Sequence, residues 1–134
     1  MKYPYDTSTV PPAPFLPVRR TNVTGSSAPL QIVAKVDSGA DITAIPVGLI
    51  SQLDLVPNGE VIVEGYDGRL SIVYRYDLNV RVADLDVAGL AVITFTEDYV
   101  LLGCDVLNQL HLVLNGPALS LEILSTQATQ GHEI

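Results

Sequence analysis

The chain has 134 residues, 48% of them hydrophobic, and a formal net charge of −8 at pH 7. This length suits one domain with a core of its own, and the hydrophobic content excludes a disordered chain. Because only seven basic residues are present and no apolar run is long enough to cross a bilayer, we expect neither nucleic acid nor a membrane as a partner.

The sequence also argues against export and against metal chemistry. The start, MKYPYDTSTV, has no apolar signal core, and a single cysteine cannot form an internal disulfide. We therefore expect a reducing compartment, the cytoplasm. No pair of His or Cys residues has metal-ligand spacing and no glycine-rich phosphate loop occurs, so we expect no cofactor and no metal.

The first elements in chain order are a leader and a domain. Residues 1–17 are rich in proline (YPYDTSTVPPAPFLP), which predicts an extended, polyproline-like N-terminal arm. The globular domain is expected to cover residues 18–124. The polar residues 125–134 are expected to form a flexible C-terminal tail.

Within the domain, apolar and polar residues alternate with a period of two, which is typical of strands. The alternation is clear over Leu30–Val36 and Ile72–Val82. VIVEGYDGRLSIV predicts a hairpin with Gly65 and Gly68 at its tip, and HLVLNGPALSLEI predicts another around an Asn-Gly turn. Helix is limited to PVGLISQL and DVLNQL. The fold class predicted is all-β and mostly antiparallel, with one or two short helices.

One acidic residue stands out in this pattern. In AKVDSGADITAIP, Asp37 leaves an apolar strand and is followed by the small residues Ser38, Gly39 and Ala40. Small residues let another chain approach closely and let a backbone amide point at the carboxylate. This arrangement suits a pair of carboxylates that share one proton. Such a pair can activate water with its ionised member and protonate a peptide carbonyl with the other.

Two motifs resemble those of a known family. VDSGADITAIP resembles the active-site motif of the aspartic proteases, and Asp41 after the alanine is typical of the retropepsin-like (retroviral-type) branch. YVLLGCDVLNQLHLVLN resembles the second signature of that branch, with an apolar strand, Gly103, Asp105, a short helix over Val106–Leu110 and a closing strand. The resemblance covers residues 18–123, with the predicted hairpin in the position of the flap.

The resemblance implies a retropepsin-like closed β domain and an aspartic endopeptidase. Since the chain has one D-[ST]-G triplet, the second acid must come from another copy, so the implied enzyme is a homodimer in which two Asp37 carboxylates meet at a two-fold axis. Ser38 and Gly39 would support the acids. The implied partner is a peptide or protein substrate, and its contacts would be Gly39, Ala40, Asp41, Gly65, Tyr66, Asp67 and Gly68. Gly103 and Asp105 would have structural roles.

The sequence departs from the family at one position. Where these proteases commonly have an arginine that pairs with the acid matching Asp41, this chain has Cys104. A neutral thiol cannot replace that ion pair, so Asp41 needs another cation, with Arg69, Arg75 and Arg81 as candidates, or it faces solvent.

Other interpretations of the same residues stay open. Asp, Ser and Gly are common in turns, so the triplet is also compatible with a plain turn, and Gly65–Gly68 with a plain hairpin. Asp105 is also a suitable N-cap for a helix. The rival function is a retropepsin-like module for dimerisation or peptide binding with little or no turnover.

Overall fold

The structure is a computed structural model that describes residues 1–21 and 30–124. The expected tail, 125–134, therefore lies outside the described residues. Along the described chain the elements are β1 (Lys2–Pro4), β2 (Phe15–Arg20), β3 (Gln31–Val36), β4 (Ala44–Pro46), α1 (Leu49–Gln52), β5 (Glu60–Glu64), β6 (Leu70–Tyr74), β7 (Tyr76–Val82), β8 (Leu85–Phe95), β9 (Val100–Leu102), α2 (Cys104–Leu107), β10 (His111–Asn115) and β11 (Ser120–Leu124).

Six strands close into a barrel in the order β2-β3-β9-β4-β8-β7. A three-stranded sheet, β1-β11-β10, and the two-stranded hairpin β5-β6 complete the fold. Most neighbours are antiparallel, but β3 runs parallel to β9, and β4 runs parallel to β8. The all-β prediction with short helices is confirmed.

Alternation along the strands accounts for the core of the barrel. In β7 every second side chain is buried, and the intervening ones are half-buried. Because successive side chains of a strand point to opposite faces, this strand presents one apolar face to the barrel interior. The buried residues of β7 are Tyr76, Leu78, Val80 and Val82.

Both helices are single turns and differ slightly from their predicted bounds. The helix expected over Val106–Leu110 instead spans Cys104–Leu107, with Gly103 at its N-cap position. The alternation predicted over Ile72–Val82 is divided between two strands. Arg75 separates them: its amide donates to Gly59 and its carbonyl accepts from Asn58 at the base of the β5-β6 hairpin.

The N-terminal segment differs from the expected polyproline-like arm. β1 pairs with β11, and β2 begins at Phe15, which is buried together with Leu16. The expected boundary at Val18 thus falls inside a barrel strand. Proline is tolerated there because Pro17 lies where β2 pairs only with β3, and the pairing with β7 starts at Val18.

Among the described residues, no helix has both the length and the apolar character that crossing a membrane requires.

Candidate active site

The loop after β3 holds the Asp37 carboxylate by backbone contacts. β3 is parallel to β9 with Val36 opposite Leu102, and the Asp37 amide donates to the Leu102 carbonyl at 3.1 Å. The Gly39 amide donates to Asp37 Oδ1 at 2.8 Å, and the Ala40 amide donates to the Asp37 carbonyl at 3.2 Å. A Cβ at Gly39 would lie 3.1 Å from Asp37 Oδ1, so any side chain there would crowd the carboxylate.

Gly103 lets the segment after β9 approach this loop closely. A Cβ at Gly103 would lie 2.9 Å from the Ala40 oxygen and 2.9 Å from the Ile42 carbonyl carbon. The next amide, that of Cys104, donates to the Ala40 oxygen at 2.8 Å. The two motifs identified in the sequence are therefore in direct contact, and the close approach depends on glycine.

A buried threonine ties the two motifs together. The Thr43 hydroxyl donates to Asp105 Oδ1 at 2.7 Å and accepts from the Gly103 amide at 3.1 Å. The Thr43 amide donates to Asp105 Oδ2 at 2.9 Å, and the Thr43 residue is 2% exposed. Asp105 is not the N-cap of α2, a position that Gly103 occupies. Its carboxylate instead satisfies the buried polar groups of this junction, which we call the Thr43 junction (Thr43, Gly103 and Asp105).

Sequence reasoning missed Thr43. Its only signal is a single hydroxyl-bearing residue in the otherwise apolar run ITAIP, and burial of a hydroxyl requires a hydrogen-bond partner.

Cys104 and Asp41 occupy different environments. The Cys104 thiol is half-buried and donates to the Ser38 carbonyl at 3.2 Å, which adds a further contact to the Asp37 loop. Asp41 is exposed and forms no ion pair within residues 1–21 and 30–124. The candidate arginines pair elsewhere, in the ion pairs Arg69–Asp67, Arg75–Asp77 and Arg81–Asp86. Asp41 therefore faces solvent, which is one of the two environments predicted for it.

The hairpin β5-β6 has the glycine-bracketed tip that its sequence predicts. The Gly65 amide donates to the Arg69 carbonyl, and the Gly68 amide to the Gly65 carbonyl, both at 3.0 Å. Asp67 Oδ1 accepts from the Arg69 amide, and Gly68 has a φ of +78°, in the region that favours glycine. Tyr66 is fully exposed at the tip.

An aromatic cluster surrounds Tyr99, the residue that directly precedes β9 in the chain. The ring of Tyr99 contacts those of Phe15 and Phe95 edge-to-face, with centroids 5.4 Å and 5.7 Å apart. The Lys35 ammonium lies 5.9 Å from the Tyr99 centroid, within the range of a cation–π contact. This cluster fixes the position of the loop between β8 and β9.

Tyr99 also lies near both Asp37 and the tip of the β5-β6 hairpin. Burial raises the pKa of Tyr99, and nearby negative charges raise that pKa further: those of Glu97, Asp98, Asp37 and an ionised Tyr66. These charges affect the phenol only because they lie near it. The side chains of Asp37 and of Tyr66, at the tip of the β5-β6 hairpin, therefore both lie near the Tyr99 phenol. Sequence reasoning did not select Tyr99.

The D-S-G triplet supplies one carboxylate to the candidate site, that of Asp37. Asp37, Ser38, Gly39, Ala40, Gly103 and Asp105 form one contacting unit, whereas no hydrogen bond or ion pair among the described residues joins the flap tip to it. Across residues 1–21 and 30–124, no group of three or more His, Cys, Asp or Glu side chains is placed to hold a metal ion.

Comparisons with known proteins identify the fold. No protein-family model and no curated protein sequence matches the chain. The foamy viral protease–reverse transcriptase in complex with an RNA/DNA hybrid is similar to 69% of the chain, with a TM-score of 0.52 and 24% identity. The chain covers only 11% of that protein. The simian foamy virus (mac) protease is similar to 68% of the chain, with a TM-score of 0.50 and 23% identity, and 88% of it is covered. The chain has the retropepsin-like fold that its two motifs predicted.

Proposed function

We propose that two copies of this chain form an aspartic endopeptidase in which each copy contributes one Asp37 carboxylate. The observation that carries the proposal is the hydrogen bond from the Gly39 amide to Asp37 Oδ1, in a loop that Leu102 and Gly103 hold from behind. A carboxylate oriented by backbone groups at the surface of a protease-like fold is suited to meet a second carboxylate.

The pair would hydrolyse a peptide bond with water as the nucleophile. The ionised carboxylate takes a proton from water, and the water oxygen attacks the peptide carbonyl carbon. The protonated carboxylate gives its proton to the carbonyl oxygen, which forms a tetrahedral intermediate. The C–N bond then breaks as one carboxyl group protonates the leaving amine. Two carboxylates about 3 Å apart share one proton at the start of this cycle.

The surrounding residues are suited to hold an extended peptide by its backbone. Gly39 and Ala40 lie beside the acid and leave their neighbourhood free of bulk, and the exposed Asp41 carboxylate can accept hydrogen bonds from peptide amides. The hairpin tip over Gly65–Gly68 would add backbone donors and acceptors on the other side of the bound peptide. Recognition through the main chain resembles the addition of a strand to a sheet.

One observation favours the rival function, a dimerisation or peptide-binding module without turnover. Asp41 has no cation at position 104, where the family commonly has arginine, and its candidate partners are paired elsewhere among the described residues. This change affects the edge of the site that would bind substrate, and it leaves the Asp37 loop intact.

The decisive experiment replaces the acid without changing its shape. We expect Asp37→Asn to abolish peptide cleavage, because an amide cannot act as the base, while the protein remains folded. The matched control is Asp54→Asn, since Asp54 is exposed and has a φ of 52° that asparagine tolerates. Cleavage by the Asp37→Asn protein would refute the assignment.

A second measurement separates the two functions. The wild-type protein is incubated with a mixed peptide library across acidic to neutral pH, with and without a statine-type inhibitor of the pepstatin class. Inhibitor-sensitive cleavage with a bell-shaped pH dependence supports the protease, because the pair must hold one proton and lose the other. Peptide binding without products at any pH supports the module.

A further inference from the structure

Two arginines lie directly opposite each other on the outer face of the barrel. β2 and β7 pair antiparallel with Arg19 opposite Arg81, and their neighbours Val18, Val80 and Val82 are buried inside the barrel. Because successive side chains of a strand point to opposite faces, both arginines point outwards. Like charges directly opposite each other are destabilising, and the chain has only seven basic residues. An anion held between the two guanidinium groups would turn this repulsion into attraction.

The charges of the two arginines are only partly balanced within the described chain. Arg81 donates through Nη1 to Asp86 Oδ2 at 3.2 Å and through Nε to the Ala83 carbonyl at 3.3 Å, which leaves its Nη2 group available. Arg19 is exposed and forms no ion pair within residues 1–21 and 30–124. The side chains of Arg81 and Asp86 are 39% and 62% exposed, and ion pairs in such settings are weak. A bound anion can therefore replace Asp86 on Arg81.

A β-bulge beside the arginines positions an amide side chain. The register between β7 and β8 shifts between Leu78 and Val80, so that Ala88 and Gly89 together face Asn79. Gly89 has a φ of +64°, and its amide donates to Asn79 Oδ1 at 2.7 Å. Since the side-chain oxygen of Asn79 is engaged in this way, its NH₂ group is the part left to bind a ligand. Bulges commonly re-aim side chains at functional sites.

Thr21 adds a hydroxyl to the same surface. Its amide donates to the Asn79 carbonyl at 2.9 Å, which extends the pairing of β2 with β7 by one residue. Arg19, Thr21, Asn79 and Arg81 line a groove of about 320 Å³ that also contacts Asp86. This volume is that of about ten water molecules, so it has room for a phosphate group with a small organic substituent.

We propose that this groove, which we call the Arg19 groove (Arg19, Thr21, Asn79 and Arg81), binds a phosphate monoester. Such a group carries a charge of about −1.5 to −2 at neutral pH and three strong acceptor oxygens. Two guanidinium groups, a hydroxyl and an amide NH₂ match that charge and those acceptors. The groove has two cations and no extended basic stripe, so it suits a single phosphate group rather than a nucleic acid.

The Arg19 groove is separate from the candidate active site. The Val36 amide, next to Asp37, donates to the Pro14 carbonyl just before the start of β2. Arg19 lies five residues further along the chain, which corresponds to about 16 Å of strand. Phosphate binding at the groove therefore does not depend on the proposed function, and it is measured without peptide cleavage.

The position of the site is tested by ¹H–¹⁵N NMR titration of the full chain. The probes are glycerol phosphate and inorganic phosphate at neutral pH, with acetate as the control anion at equal ionic strength. We expect the amides of Thr21 and Gly89, which both bond to Asn79, to shift with the phosphates and not with acetate, and the Gly39 amide to stay unchanged. Glycerol phosphate should bind at least as tightly as inorganic phosphate, because the groove has room for the glycerol.

Three results of this titration would overturn the proposal. The first is the absence of phosphate-dependent shifts at Thr21 and Gly89. The second is an equal response to acetate, which would indicate nonspecific attraction of anions. The third is tighter binding of inorganic phosphate than of glycerol phosphate, which would exclude a monoester as the ligand.

The contribution of the arginine pair is tested by Arg19→Gln. We expect the dissociation constant for glycerol phosphate to rise about tenfold, because a charged hydrogen-bond donor is lost. The fold should be retained, since Arg19 is exposed and its removal relieves the repulsion with Arg81. The matched control is Arg69→Gln, because Arg69 is also an exposed arginine but pairs with Asp67 in the β5-β6 hairpin. An equal loss of affinity in both variants, or none in Arg19→Gln, contradicts the site.

A variant with the opposite effect is Asp86→Asn. It removes the carboxylate that competes with phosphate for Arg81, so the dissociation constant should fall about two- to fivefold. The matched control is Asp84→Asn, which changes the net charge equally at a nearby exposed position. If both variants tighten binding to the same extent, the net charge and not the Arg19 groove attracts the phosphate, and the proposal is rejected.

Discussion

The Asp37 loop and the β5-β6 hairpin each place a side chain near Tyr99 but are stabilised in different ways. The Thr43 junction and the Cys104 contact join segments that lie 60 to 66 positions apart in the chain. They are supported by backbone approaches that leave no room for a side chain at Gly103. The hairpin has local hydrogen bonds, and its residues Ile62, Leu70, Ile72 and Tyr74 are 58–69% exposed.

This difference suits the two regions to separate tasks. Under the proposed function Asp37 needs a precise position, which buried, non-local contacts provide. A hairpin with little buried apolar surface has low local stability and can open at small cost. Substitutions in the two regions should therefore differ both in size and in kind of effect.

The largest loss of stability is expected for Gly103→Ala. The new Cβ would lie 2.9 Å from two backbone atoms, so the backbone must shift and the junction is disturbed. We expect the free energy of unfolding, from urea denaturation at fixed protein concentration, to fall by about 3 kcal/mol. The control is Gly48→Ala, where a Cβ meets no atom within 4 Å. A loss at Gly103 equal to that at Gly48 would show that the close approach is not required.

A somewhat smaller loss is expected for Thr43→Val. Valine has nearly the same shape, but the Asp105 carboxylate loses a donor and the Gly103 amide loses its acceptor in a buried setting. The free energy of unfolding should fall by about 2 kcal/mol. Thr96→Val, at an exposed position, should change it by less than about 0.5 kcal/mol. Equal effects from the two valines would remove the junction as the source of rigidity.

The smallest change is expected for Gly68→Ala in the flap. Alanine at a φ of +78° is strained, but the hairpin contributes little buried surface, so the free energy of unfolding should fall by no more than about 1 kcal/mol. Amide hydrogen exchange in β5 and β6 should accelerate more than exchange in the barrel. Gly116→Ala is the control, because Gly116 lies in a turn without positive φ. Equal acceleration in the barrel would mean that the hairpin does not open separately.

Much of the fold was predictable from the sequence because alternation and turn residues act locally. The hairpins β5-β6 and β10-β11 follow from period-two patterns around glycine-containing turns. The contact between the two motifs was predictable only through the family resemblance, since no local rule relates Gly103 to Ala40.

Other features could not be predicted because they depend on tertiary contacts. Proline content favours an extended arm, but Phe15 and Leu16 complete the barrel, and burial of their side chains outweighs the local preference. Thr43 and Tyr99 have ordinary local sequences, and their significance comes from the neighbours that the fold supplies.

The parallel alignment of β3 with β9 has a consequence for biosynthesis. Asp37 is synthesised early in the polypeptide. Its amide cannot bond to the Leu102 carbonyl, and its loop cannot contact Gly103 and Cys104, until those later residues have been synthesised. Closing so long a loop slows folding. While a ribosome is still synthesising β9, the nascent chain therefore carries Asp37 in a loop that is not yet assembled, and this loop reaches its final form only once synthesis of the domain is nearly complete.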